Sequence, residues 1–382
     1  MNKQKLIRIT TVPISLEKLL SGQLSYMNLF YDVVAISADK ENLEKIGKSQ
    51  EVAVFPLEMT RKITPLKDIL AVVRLFLFLK KTKPFIVHSH TPKAGLVGML
   101  AAKIAGVPHR LHTVAGLPLL EITGSKRKLL DFVEKFTYAC ATKVYPNSFG
   151  LKKIIVENKY CKVNKLNVLA NGSSNGIDTF YFNPELFTAE QNLNLRKELG
   201  ISAEDFVFVF VGRLVADKGI NEMIAAFELL QKDHPKAKLL LVGDYEADLD
   251  PLLPNTLERI HSNSSILAMG FQSDVRPYLA LSDALVFPSY REGFPNVVMQ
   301  AGAMGMPSVV TNINGCNEII VEGLNGIIIP VKNEKAIMEA MLIMIENKEL
   351  YQQMKQNART MIVSRYEQQV VWEAVLEEYK KL

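Results

Sequence analysis

The sequence predicts an α/β protein built from two doubly wound parallel-sheet domains. Three observations predict it. Short β-branched runs alternate with helical stretches along the whole chain, the pattern of parallel sheets with crossover helices. The chain has 382 residues and 48% of them are hydrophobic, which suits two cores better than one. The charge also changes sign midway. Residues 1–182 hold 27 Lys+Arg against 13 Asp+Glu, a net +14, and the remaining 200 residues hold 18 against 27, a net −9.

In the first half, Leu6–Val12, Val33–Ile36, Val52–Phe55, Phe85–His88, Leu111–Val114 and Lys143–Tyr145 read as buried strands. Between them, Leu66–Lys81, Ala94–Ala105 and Lys126–Ala141 carry helical patterns. The second half repeats the theme with strands at Phe206–Val211, Leu239–Val242, Ile266–Ala268, Leu285–Phe287, Ser308–Thr311 and Ile327–Ile329. A polar loop near Asn171–Pro184 coincides with the charge shift, so the domains are predicted as 1–182 and 183–365. An amphipathic helix around Glu367–Lys380 falls within a last segment, 366–382. In open α/β sheets, ligands bind at the carboxyl ends of strands. Two such edges facing each other would make a deep interdomain cleft.

Composition narrows the function. Cys140, Cys161 and Cys316 are scattered and odd in number, with neither a disulfide framework nor metal spacing, so a cytoplasmic setting is expected. Met1–Lys5 runs into a strand without a signal-peptide pattern. The longest apolar stretch, Ile69–Leu79, contains Arg74 and is too short to span a bilayer. A basic half implies an anionic partner, either nucleic acid or an anionic membrane.

The segment Pro288–Pro307 is the most informative. It leaves an apolar strand, breaks at glycine and proline, and becomes a small-residue helix. A loop entering a helix offers unpaired N–H groups and the positive end of a dipole, which suits a phosphate. Glu292 in the same loop could hold sugar hydroxyls. An anion cradle and a polyol clamp side by side are what a nucleotide-sugar needs.

Four motifs, in one order, now carry a resemblance: Arg291-Glu-Gly-Phe-Pro-Asn296, Phe206–Gly219 with its Gly-Arg turn and Lys-Gly helix start, Val168–Asp178 with Asn-Gly-Ile-Asp, and Phe85-Ile-Val-His-Ser-His-Thr-Pro92. The chain resembles the retaining glycosyltransferases of family 4, which have the GT-B fold. The resemblance implies that Gly212, Arg213 and Lys218 hold the donor diphosphate. Arginine brings a rigid fork and lysine a compact charge. Two cations there could replace a metal ion, and neither metal nor other cofactor is expected; Asp248-Leu-Asp250 follows an acidic loop rather than a strand. Glu292 would touch the transferred sugar and stabilise an oxocarbenium-like state. Gly293, Phe294, Pro295 and Asn296 would supply backbone donors and shape. The resemblance also implies that the last helix crosses back onto the amino-terminal domain.

Three positions depart from the family pattern. Gln300 stands where the family has a second glutamate for the ribose hydroxyls. Ala115 replaces a histidine that touches the donor sugar, and His112 lies three residues earlier. Ser21-Gly22-Gln23 replaces a Gly-Gly turn, so Gly22 is carried over only as an acceptor-side position. His88 and His90, at spacing two, share one strand face and are expected to make acceptor-side polar contacts.

The expectation is therefore a cytoplasmic, peripheral-membrane glycosyltransferase. It would move a sugar from a nucleotide-diphosphate sugar, a UDP-sugar by preference, to a polyprenyl-diphosphate-linked glycan in surface-polysaccharide assembly. Its membrane contacts would be Lys126-Arg-Lys128 and an apolar wedge at Leu117–Leu120. A rival enzyme is a UDP-sugar 2-epimerase of the same fold, which would need ring-directed acid and base carboxylates. A rival of another class is a nucleic-acid-binding protein. The basic half lacks aromatic residues interleaved for stacking, so no nucleic acid is expected.

Overall fold

A computed structural model describes residues 3–60, 62–117, 119, 122–246 and 250–382. Among them, twelve strands form two six-stranded sheets. The strands are β1 (Lys5–Ile9), β2 (Asp32–Ser37), β3 (Ala53–Pro56), β4 (Ile86–Ser89), β5 (His109–Val114), β6 (Lys143–Pro146), β7 (Phe206–Val211), β8 (Ala237–Val242), β9 (Ile266–Gly270), β10 (Ala284–Phe287), β11 (Ser308–Thr311) and β12 (Gly326–Ile329). The sheet orders are β3-β2-β1-β4-β5-β6 and β12-β11-β10-β7-β8-β9. Every pairing is parallel. Both are the same doubly wound topology, and the order reverses between β1 and β4 and between β7 and β10.

The predicted strands are all present, within a few residues. β7 reads Phe-Val-Phe-Val-Phe-Val, and Val207 through Phe210 are fully buried. A strand covered on both faces needs apolar residues at consecutive positions, not alternate ones. β1 ends at Ile9 rather than Val12 because the chain there finds other partners. The Thr11 N–H donates to Thr91 Oγ1 at 3.0 Å, and Thr10 Oγ1 donates to the Val12 carbonyl at 3.1 Å. The helices Pro65–Thr82 and Pro92–Ala105 start at their prolines, where the missing N–H costs nothing.

The chain divides into Met1–Asn175 with Gln369–Leu382, and Gly176–Gln368. Residues 176–182, assigned from composition to the first half, thus belong to the second unit. Ile177 exchanges backbone hydrogen bonds with Tyr366 and Gln368, and Phe182 is buried in the second unit's core. The helix Gln368–Lys380 supplies Val375, Leu376 and Tyr379 to the first unit's core beside Leu6, Ile86 and Leu111.

The structure departs from two membrane-facing expectations. Leu117 and Leu119 are buried in the first unit's core rather than exposed as a wedge, while Pro118 and Leu120 lie outside the described residues. Arg127 is not a solvated charge. It pairs with Asp131 at 2.8 Å and donates to the Leu119 carbonyl and Tyr160 hydroxyl. Among the described residues, no helix is long and apolar enough to cross a membrane.

Candidate functional site

In the second unit, the switch-point strands β7 and β10 deliver the predicted residues to one edge. Gly212 follows β7 directly, with its N–H bonded to the Val242 carbonyl at 2.9 Å and φ at +150°. The turn carries Arg213 and ends at Gly219, where the helix Ile220–Asp233 begins. Gly219 has φ +71°, and a Cβ there would lie 2.3 Å from the Pro288 carbonyl oxygen. Only glycine lets the two loops approach this closely. That approach brings Lys218 Nζ into an ion pair with Glu292 Oε1, both side chains largely buried.

Glu292 is held from several sides. The buried Ser289 hydroxyl donates to Glu292 Oε1 at 3.0 Å. Asn314 Nδ2 donates to the Glu292 and Gly293 carbonyls. Gly315 passes so close that a Cβ would lie 2.6 Å from the Gly293 oxygen. Ser289, Asn314 and Gly315 were not singled out from sequence. The Asn314-Gly315 pair just beyond β11 was the available turn signal.

Arg213 lies further out, with its guanidinium on Glu246 at 2.6 Å and about half of its side chain exposed. Arg291 pairs with Asp217 at 2.8 Å, and the Asp217 carbonyl accepts from the Tyr290 N–H at 2.9 Å. These bonds tie the β7 and β10 loops together. Phe294 is buried edge-on to Tyr366, with ring centroids 5.3 Å apart. The helix Asn296–Ala303 starts after Pro295 with no side-chain cap, so no N-cap side chain claims its first N–H groups. Asn296 is exposed. Gln300 is half-buried, and its amide has no hydrogen-bond partner among the described residues. The edge therefore offers two cations, a fixed carboxylate and a helix N-terminus.

In the first unit, His88 and His90 are buried around a fully buried arginine, Arg8. Arg8 reaches His90, Tyr379 and Gln23, none of them a carboxylate. His88 has both ring nitrogens engaged, Nδ1 with Tyr379 Oη at 2.5 Å and Nε2 with Thr113 Oγ1 at 2.8 Å. His90 keeps Nδ1 without a partner. It lines a cavity of about 20 Å³ with Gln23, Thr113, Asn147, Ser173 and Ser174, at the carboxyl ends of β4, β5 and β6. Burial and the Arg8 charge hold both imidazoles well below the usual histidine range, so both are neutral. Burial pushes His112 down to about 4, and its Nδ1 bonds to Ser89 Oγ. Gly22 does not line that cavity, although Gln23 beside it does. Gly22 has φ +73°, packs against the Trp372 ring, and gives its N–H to Gln50.

Comparison with known proteins places this geometry in a family. Residues 191–361 match the model of glycosyl transferases group 1, and residues 23–148 match that of glycosyl transferase 4-like domains. A capsular polysaccharide biosynthesis glycosyltransferase of Staphylococcus aureus, CapM, is 33% identical over 98% of this chain and 96% of its own. A UDP-Gal:α-D-GlcNAc-diphosphoundecaprenol α-1,3-galactosyltransferase of Escherichia coli is 30% identical over 82% of this chain and 79% of its own. The fold matches the crystal structure of Anabaena Alr3699/HepE in complex with UDP, with a TM-score of 0.83 at 19% identity over 99% of this chain and all of that one. The two six-stranded parallel sheets are thus those of the GT-B fold, and the chain belongs to the group 1 glycosyltransferases, with relatives in capsular and lipid-linked glycan synthesis.

Proposed function

We propose that the protein is a retaining, metal-independent glycosyltransferase. It moves a sugar from a UDP-sugar to a polyprenyl-diphosphate-linked glycan at the inner face of the cytoplasmic membrane. The observation that carries this reading is the Lys218–Glu292 pair at the carboxyl ends of β7 and β10. It brings a cation suited to a phosphate against a carboxylate suited to a sugar hydroxyl. The donor and acceptor of the Escherichia coli relative support the choice of substrates.

Lys218 and Arg213 neutralise the leaving diphosphate, and the uncapped N–H groups of the helix Asn296–Ala303 add to its field. Gly212 gives the turn its shape, while Gly293, Phe294, Pro295 and Asn296 set the approach to that helix. Glu292 binds a sugar hydroxyl and stabilises positive charge at the anomeric carbon. The bond from that carbon to the diphosphate oxygen breaks. The acceptor hydroxyl attacks from the same face, and its proton passes to the leaving phosphate. Gln300 takes the ribose side. Two cations at the leaving group make a divalent ion unnecessary. In the first unit, His90 Nδ1 is the acceptor-side polar group, and His88 orients it through Tyr379 and Arg8.

The test is release of nucleoside diphosphate from UDP-, GDP- and ADP-sugars, with membrane lipid extract present, in EDTA. UDP release with a sugar-bearing lipid of retained anomeric configuration is the expected result. Release that needs magnesium would remove the metal-independent mechanism. An inverted product would remove the retaining one. Conversion of the UDP-sugar to its 2-epimer would replace transfer altogether.

A further inference from the structure

The helix Pro65–Thr82 is apolar on two faces. Ala71, Leu75 and Leu79 point inward and are buried in the first unit's core. Leu66, Ile69, Leu70, Val73 and Leu77 point outward and are 47–85% exposed. Their spacing follows the helical period, so they form one stripe. An exposed contiguous apolar stripe of this length marks a contact surface. Lys67, Arg74 and Lys81, seven residues apart, run beside it. The helix's one acid, Asp68, is paired with Lys93.

The stripe has a neighbour. The helix Pro92–Ala105 packs between Pro65–Thr82 and Gly124–Cys140, so all three lie in one layer. The third helix exposes Leu129 and Phe132, with Lys126 and Lys128 beside them.

We propose that the outer face of the helix Pro65–Thr82 is the surface by which the protein docks on an anionic lipid bilayer, with Phe132 as a second point of insertion. The inference rests on the reading of a lipid-linked acceptor and names the surface that reaches it. The chemistry fits a helix lying in the interface. Apolar side chains enter the acyl boundary while flanking cations meet lipid phosphates. A second copy of the chain fits poorly. A twofold contact along the stripe would bring Lys67, Arg74 and Lys81 against their own copies, with no free acid on the helix to offset them. Arg127, committed to Asp131 and Tyr160, leaves the Lys126–Lys128 patch weaker than its sequence suggests.

The test is cosedimentation with vesicles of phosphatidylcholine alone and of phosphatidylcholine mixed with phosphatidylglycerol. The wild type is expected to bind the mixed vesicles. Leu66→Ser, Leu70→Ser and Leu77→Ser combined should weaken that binding by about tenfold or more. Melting temperature and turnover on a water-soluble acceptor analogue should be unchanged. Lys126→Glu with Lys128→Glu should weaken binding less than Lys67→Glu, Arg74→Glu and Lys81→Glu together. Serine variants that bind like wild type would overturn the proposal. So would a wild-type dimer in light scattering that the serine variant dissolves. If wild type ignores the vesicles yet turns over a soluble acceptor, the docking surface is wrong and sugar transfer stands. If docking behaves as described but no donor is consumed, the surface stands and the transferase reading falls.

Discussion

The Arg8 guanidinium donates from Nε to His90 Nε2 at 2.9 Å, with both side chains out of solvent. The direction of this bond fixes a tautomer. An arginine N–H can only donate, so Nε2 accepts and the proton of the neutral ring sits on Nδ1. His90 lines the small cavity at the ends of β4–β6, and that N–H has no partner. A buried positive charge thus presents itself as a neutral donor on the far side of an imidazole.

Stability should fall in mild acid. His88, His90 and His112 are all held below their ordinary value by burial, His112 to about 4. A depressed histidine pKa means that the fold favours the neutral ring. Its contribution is whole above the unfolded value, about 6.5, and is lost as pH falls towards the folded value. For His112 alone, the loss by pH 4 is of the order of 3 kcal/mol. Urea midpoints at pH 7, 5.5 and 4.5 should decline, and His112→Gln should flatten the slope. An unchanged midpoint across that window would contradict the assignment.

Arg213→Ala should separate activity from stability. Its partner Glu246 is a partly exposed surface carboxylate, and such pairs contribute about 0–1 kcal/mol. Removing one preorganised electrostatic donor costs roughly 3–4 kcal/mol in the transition state. The expected variant melts like wild type but loses kcat by two to three orders of magnitude, as read by nucleoside diphosphate release.

Lys218→Met should do both kinds of damage. Glu292 would be left largely buried without its counter-charge, which costs about 3–5 kcal/mol. Glu292→Gln in the same chain should recover part of the lost stability but no activity. A double-mutant cycle on the melting curves measures the coupling.

Gln300→Glu tests the ribose side. The amide is half-buried without a hydrogen-bond partner among the described residues, so the change should cost the fold little. A charged acceptor for ribose hydroxyls should tighten nucleoside diphosphate binding by up to about 1 kcal/mol in calorimetry. A tenfold loss instead would mean that the glutamine donates to an oxygen that a carboxylate repels.

Gly95→Ala should destabilise, against the usual trend. Alanine normally gains about 1 kcal/mol over glycine inside a helix. Here a Cβ would lie 2.5 Å from His112 Cε1, with the ring pinned to Ser89. A lower melting temperature is the expected reading.

The sheets were legible because consecutive apolar residues such as Phe206–Val211 admit few alternatives in a doubly wound fold. The meeting of Lys218 and Glu292 at one edge was legible because the family-like motifs, with Gly212, Gly219 and Gly293, fall at the ends of two predicted strands. Arg8 was not. It sits inside a strand of apolar residues, and its neutral partners come from positions 23, 90 and 379. Nothing local announces such a meeting. Leu117 and Leu119 misled because an apolar run beside proline looks the same whether it caps a core or protrudes. The stripe on Pro65–Thr82 was hidden for the opposite reason: a helix apolar on two faces reads simply as a buried one.

The first unit draws Trp372, Val375, Leu376 and Tyr379 from the final helix. Its earlier segments therefore leave the ribosome before the second unit, and its closing helix after it. Until residue 379 arrives, Arg8 and His88 lack the hydroxyl they share. The second unit, Gly176–Gln368, is synthesised whole in the interval. Loss of the last few residues would thus be felt most in the half of the protein farthest from them in sequence.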